Sequence, residues 1–272
     1  MAKRKTFFEL LTEAIDYFAA HGYTSQAALD RWVKTLREAA DGYLPSTSDL
    51  DSEIRKALKG SYSRLVAKGG ISRQHPTVPA YTIERLKPRM RRELERRIAI
   101  SADLIVLNRK AAIDDTMRRF AGWASSVPAG GSRAVDRVEE KAAVRKPLAK
   151  MDFIARRCIV DQTHKFAAAV NDIVATEAGA IAAVWHSPWR RPGYDFRKDH
   201  KERDEQVYLI RDNWAQAKGM VKPGPAGYTD QISQPGEEVY CSCKYQYIYS
   251  INRLPPEMLT AKGRAALAKA TG

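Results

Sequence analysis

The chain has 272 residues, 44% of them hydrophobic, which is enough to bury one large core or two ordinary ones and excludes wholesale disorder. Its 46 Lys and Arg against 32 Asp and Glu leave a formal charge of +14. Such a field favours polyanions, nucleic acid ahead of acidic protein surfaces and anionic membranes, although Ala/Arg-rich genome composition also yields basic proteins. No run reaches the length of a membrane span. Three cysteines, two of them separated by one residue, do not build a secreted disulfide framework, and the start Met-Ala-Lys-Arg-Lys-Thr has no apolar segment behind its charges. A soluble protein made in a reducing cytosol is expected.

The first 120 residues read as helices. Phe7, Leu10, Leu11, Ala14, Ile15 and Phe18 recur at the spacing of one helical face, and His21-Gly22 stops the pattern. Leu29, Trp32, Val33 and Leu36 mark a second helix from Ser25 to Ala40. The polar run from Pro45 to Asp49 starts a third, carrying Leu50, Ile54, Ala57 and Leu58. Residues 59–79, with Gly60, Gly69-Gly70, Pro76 and Pro79, read as loop with at most a short helix around Tyr62 to Val66. A long helix then runs to Phe120, with Ile83, Leu86, Met90, Leu94 and Ile98 as its buried stripe.

That helix carries the densest charge run in the chain: Lys87, Arg89, Arg91, Arg92, Arg96 and Arg97 against Glu93 and Glu95. The charges go nearly all the way round, so they read either as a solvated face or as a set of phosphate contacts that release condensed counterions. No zinc-finger spacing, helix-turn-helix pattern or aromatic RNA-binding motif accompanies them.

Gly122 to Ser132 is the best linker candidate, and a further helix fits Asp152 to Ala183. After Trp185, Pro and Gly cut the chain into short pieces. A helix fits Phe196 to Asn213, and Val239 to Cys243 and Tyr245 to Tyr249 read as strand, with Cys241, Cys243, Tyr245, Tyr247 and Tyr249 on one face. The expected fold is mainly α with a small α+β C-terminal domain. A helical N-terminal module spans 1–122, a linker 123–147, an α+β domain with short strands 148–254, and an Ala/Lys-rich tail helix 255–272 that frays or docks on a partner.

The polar chemistry concentrates between Trp185 and Cys243. Trp185, Asp195, Arg197, His200, Pro235-Gly236, Cys241 and Cys243 follow one another in the order that marks the Mu F-like phage head morphogenesis (minor head) proteins, which this stretch resembles over roughly residues 150–250. The sequence departs from the family pattern in having Ser242 between the cysteines, Tyr240 before them and no Asp-Gly after the histidine. The resemblance implies a non-enzymatic virion component with no cofactor, present in few copies at the portal vertex or head interior. Its implied partners are the portal protein, capsid or tail connector proteins and packaged DNA, and it assembles as a homo-oligomer, possible as a head-to-tail adaptor.

Read as chemistry alone, the same residues leave several arrangements open. His200, Cys241 and Cys243 offer three zinc ligands, with Asp195, His186 or His164 as a fourth, although one residue between cysteines is tighter than usual. They equally form a buried polar network that pins a loop, or the pair of a Cys–His nucleophile. Asp195, Asp199, His200, Glu202, Asp204 and Glu205 suggest a metal-dependent nuclease, yet they interleave with Lys198, Lys201 and Arg203 like an exposed salt-laced helix.

Overall fold

The structure, a computed structural model, describes residues 5–271; the basic start at residues 1–4 and Gly272 lie outside the described residues. It is mainly helical, with a small three-stranded antiparallel sheet near the C-terminus. No helix among the described residues is long and apolar enough to cross a membrane.

The helices begin where short polar side chains satisfy their open N–H groups. At α1 (Phe7–His21) Thr6 accepts from the Glu9 N–H at 3.3 Å while Glu9 accepts from the Thr6 N–H at 2.7 Å, a reciprocal cap. Ser25 caps α2 (Gln26–Tyr43) and Ser46 accepts from the Asp49 N–H at the start of α3 (Thr47–Tyr62). The expected loop after it is mostly helical: a π turn at Ser63–Ala67 and α4 (Gly70–Gln74) lead to α5 (Ala80–Ser126). Asp136 then accepts from the N–H groups of Val138 and Glu139 to open α6 (Arg137–Ala149), and α7 spans Met151–Glu177.

Two compact units result, Met1–Ile54 with Ile100–Cys158 and Arg55–Ala99 with Ile159–Gly272, so the division falls inside α3, α5 and α7. This replaces the consecutive modules expected at 1–122 and 148–254. Gly122 is a helical residue of α5, and α6 fills most of the expected linker 123–147. Within the first unit, Phe7, Leu11, Ile15 and Phe18 of α1 pack with Leu29 and Leu36 of α2, Met117 and Phe120 of α5, and Val144 and Leu148 of α6.

The rest of the expected linker is a turn built onto the end of α1. Gly130 donates to the His21 carbonyl at 3.1 Å and Ser132 to the Ala19 carbonyl at 2.9 Å, so carbonyls that a helix end leaves open are satisfied. The approach is close: Gly131 sits at φ +86°, and a Cβ there would lie 2.5 Å from the Ala19 and Ala20 carbonyl oxygens.

In the second unit α7 stops six residues before the expected Ala183. Gly179 turns left-handed at φ +72°, Ala180 donates to Ala175 at 2.9 Å and Gly179 to Thr176 at 3.3 Å, which closes the last turn. The freed residues form β1 (Ala182–His186), the centre of a sheet with order β2-β1-β3, where β2 is Val207–Leu209 and β3 is Lys244–Ile248. The helix expected over 196–213 shrinks to α8 (Lys198–Glu202), because a turn with Glu205 at φ 66° feeds β2; α9 (Trp214–Ala217) follows. The strand expected over Val239–Cys243 is a turn, since Tyr240 at φ 60° breaks extension before β3 begins.

Pairing of Ala183 with Tyr208 and Tyr247, and of Trp185 with Tyr245, puts these five side chains on one face of the sheet. The opposite face, with Ala182, Leu209 and Ile248, is covered by Val221, Ile251, Leu254, Met258 and Leu259. Ala266 and Leu267 of α10 (Ala261–Thr271) pack on that same core. The tail expected to fray is therefore part of the unit, held by burial of its own apolar stripe.

Two glycines test this reading. Gly122→Ala is expected to stabilise the chain by about 0.5–1 kcal/mol, because the residue is helical with open space beside it. Gly131→Ala is expected to destabilise it by about 1–3 kcal/mol through strain at positive φ. Urea denaturation of both variants checks the pair, and a silent Gly122→Ala would restore the linker.

Candidate functional site

The site is assembled by two loops that meet on the Trp185 face of the sheet. The first leaves β1 at Ser187 and returns through α8. Asp204 closes it, accepting from the Ser187 N–H at 2.8 Å, the Trp189 indole N–H at 2.7 Å and Arg190 at 3.2 Å. Burial alone would raise the Asp204 carboxyl; the Ser187 and Trp189 hydrogen bonds and the Arg190 charge outweigh it and hold the group below its ordinary range. This closure presents His200 on α8, where it is fully buried.

The second loop runs from Ser233 to Cys243 and is clamped to α7. Lys165 donates to the carbonyls of Glu237 (3.0 Å) and Glu238 (3.3 Å), and Asp161 accepts from the Tyr240 N–H at 2.7 Å, which holds that residue in its left-handed turn. Gly236 lets the loop approach: a Cβ there would lie 3.1 Å from Ala168 Cβ and 3.4 Å from Lys165 Cα. The Pro235-Gly236 pair thus has a mechanical role.

Glu238 joins the two loops. Its Oε1 accepts from Ser233 at 2.6 Å and stands 3.3 Å from His200 Nε2, and its Oε2 pairs with Arg197 Nε at 2.8 Å. Arg197 also donates to the Val239 carbonyl at 2.9 Å. The Ser233 hydrogen bond first, then that from His200 and the charges of His200 and Arg197, hold Glu238 below the usual carboxylate range despite its partial burial. A carboxylate at Nε2 makes that nitrogen the donor and leaves the Nδ1 lone pair facing inward.

There Nδ1 lies 3.7 Å from Cys241 Sγ and 3.5 Å from Cys243 Sγ, both cysteines being buried. The Cys243 thiol donates to Cys241 and, with the N–H groups of Gly236 and Cys243 and the nearby His200, pulls the Cys241 thiol down to about 5 against the effect of burial. Cys243 keeps the shared proton, so its own thiol is pushed up. Trp185 packs edge-on against the imidazole with ring centres 5.2 Å apart.

Five of the six motif residues, Trp185, Arg197, His200, Cys241 and Cys243, therefore converge. Asp195 does not: it is exposed and makes no hydrogen bond or ion pair among the described residues. Nor do His186 or His164 join the cluster as a fourth ligand. His186 lies on the other face of β1 and bonds Gln246 at 3.1 Å, while His164 lines a groove of about 880 Å³ beside Cys243. The nuclease acids scatter as well. Glu202 and Glu205 are exposed, Asp199 is tied to Arg203 at 2.7 Å, and Asp204 holds the first loop.

The charge run on α5 is largely consumed internally. Lys87 pairs with Glu84 at 2.6 Å, Arg89 with Glu177, and Arg96 and Arg97 with Glu93 at 2.6 and 2.8 Å. Arg91 and Arg92 are exposed and have no ion pair among the described residues.

Sequence reasoning missed Glu238, Ser233 and Asp161, whose roles come from contacts 38 or more residues away or, for Ser233, from a common loop turn. It also missed the buried His75, which bonds Tyr249 and, at 2.9 Å, Asn171, and whose imidazole burial pulls down. No family model, curated protein or solved structure matches the chain.

Asp204→Ala is expected to destabilise the chain by about 1–3 kcal/mol, leaving the Trp189 and Ser187 donors unpaired. The sign with pH follows from its lowered carboxyl: the stabilisation is complete above the ordinary Asp value near 4 and fades as pH falls through the folded-state value. Thermal melts between neutral pH and about pH 3 are expected to show wild type and variant converging in acid.

Proposed function

We propose that the chain is a non-enzymatic structural protein of a bacteriophage virion, a minor head or head morphogenesis component working at the portal vertex beside packaged DNA. The observation that carries this reading is the packing of Trp185, Arg197, His200, Pro235-Gly236, Cys241 and Cys243, the residues of the family resemblance, into one buried loop clamp. Arg197 and His200 are spent on Glu238 and the cysteines, as a fold-determining cluster requires and an open catalytic site does not. The net charge of +14 suits a DNA-rich setting. Portal protein and connector or capsid proteins are the proposed partners, with self-assembly at the vertex.

The test is co-purification. A tagged chain expressed during infection is expected to recover the portal protein, and purified particles to contain the chain at a level comparable with the portal and far below the major capsid protein. Recovery of nucleic acid alone, with absence from particles, would overturn the reading.

A second reading, a metal-dependent nuclease, is favoured by one grouping: Asp199, His200 and Glu238 offer ligand atoms within 4.8 Å of one another. Plasmid cleavage with Mg²⁺ or Mn²⁺ that disappears in His200→Ala would establish it.

On either reading Arg91 and Arg92 are the proposed phosphate contacts of α5. The double change to Ala is expected to lower the slope of log K against log salt by about 2, equally for unrelated DNA sequences, because each released contact frees about one counterion. The same changes at Arg96 and Arg97, already paired with Glu93, are expected to move the slope less. Binding titrations at several salt concentrations check both.

A further inference from the structure

The buried His200–Cys241–Cys243 cluster has the dimensions of a metal site. Zinc takes thiolate sulfur at about 2.3 Å and imidazole nitrogen at about 2.0–2.1 Å, so a tetrahedral angle separates N from S by about 3.6 Å. The distances from His200 Nδ1 to the two sulfurs are 3.5 and 3.7 Å. All three ligand atoms lie within 4.8 Å of one another.

The surroundings are those of a thiolate centre. Glu238 holds Nε2, the arrangement by which a carboxylate turns a metal-bound histidine and fixes its tautomer. The Trp185 indole N–H and the Ser187 hydroxyl are buried without a hydrogen-bond partner, and both face Cys243. A buried donor left unpaired is costly, and a thiolate sulfur is an acceptor for it. The Gly236 and Cys243 N–H groups point at the Cys241 sulfur in the same way. Cys243 lines the groove of about 880 Å³, which supplies an entry path and a solvent ligand for the fourth position.

We infer that His200 Nδ1, Cys241 Sγ and Cys243 Sγ bind one Zn²⁺ ion, with Glu238 as the residue that positions the histidine. Two soft sulfurs and an imidazole select zinc over the hard Mg²⁺ or Ca²⁺. The ion completes the clamp between the two loops, and binding it releases the protons of the two thiols. This inference does not depend on the virion reading, and a zinc clamp serves either outcome there.

The experiment uses the full chain, stripped of metal under reducing conditions and titrated with Zn²⁺ against a chromophoric chelator, and separately with Co²⁺. One equivalent of zinc is expected, with a thiolate-to-cobalt charge-transfer band in the near ultraviolet. Cys243→Ser is expected to remove that band, and Glu238→Gln to weaken zinc binding about 10–100-fold with the far-ultraviolet circular dichroism unchanged. Substoichiometric zinc uptake by the folded wild-type chain, or uptake that survives the double change of Cys241 and Cys243 to Ser, would overturn the site. So would recovery of a Cys241–Cys243 disulfide under reducing conditions. Should a variant fail to fold, the cobalt spectrum of the wild-type chain decides alone.

Discussion

The carboxylate of Glu238 is the contact on which the C-terminal architecture turns. It receives Ser233 within its own loop and Arg197 and His200 from the loop around α8, two segments that share no strand pairing there. Each partner restricts a different freedom. Ser233 sets the rotamer of Glu238, Arg197 fixes the approach of the loop, and His200 has its tautomer chosen. Once Nε2 is committed to the carboxylate, Nδ1 can only accept, which is why the two sulfurs collect on that side. The ordering runs from a single charged group to a tautomer and from the tautomer to a ligand set.

Burial gives that chain of consequences its force. Trp185, fully buried at the centre of the sheet, walls the imidazole off from water, and hydrogen bonds in such surroundings are stronger and harder to leave unmade. The same burial explains the divided behaviour of Cys241 and Cys243. Two thiols in contact away from water share one proton and do not ionise independently. The outer supports are built differently, from α7 side chains that bind loop backbone: Lys165 to carbonyls and Asp161 to an N–H. These bonds replace the strand pairing that the Val239–Cys243 segment lacks.

The basic charge of the chain divides into two populations. Arg109 binds Asp41 and the Pro45 carbonyl, Arg89 binds Glu177, and Arg96 with Arg97 shares Glu93, so these cations work within the fold. Exposed pairs of this kind contribute little stability each, and their main effect is to remove cations from the set that meets a polyanion. Arg91 and Arg92 remain on α5 with their charges turned outward. Net charge therefore overstates the phosphate-binding surface, and the residual field is the quantity that matters for DNA.

Local chemistry was readable without any structure. Helix periodicity placed Phe7 to Phe18 and Ile83 to Ile98 on buried faces, and Thr6, Ser25 and Ser46 mark helix starts, because caps and stripes depend on residues a few positions apart. The grouping of Trp185, Arg197, His200, Cys241 and Cys243 was likewise marked by their order. Long-range choices were not readable. Gly130-Gly131 looks like a linker and is the cap of α1; Ile181 and Val184 fit the face of a helix that Gly179 has already ended; Tyr240 sits in a strand-like run but is held left-handed by Asp161. Glu238 is the sharpest case, one acid among 32 in the sequence and singled out only when folding brings Arg197 and His200 to it. Short-range periodicity is written along the chain, whereas hydrogen-bond partners distant in sequence exist only after the backbone has closed.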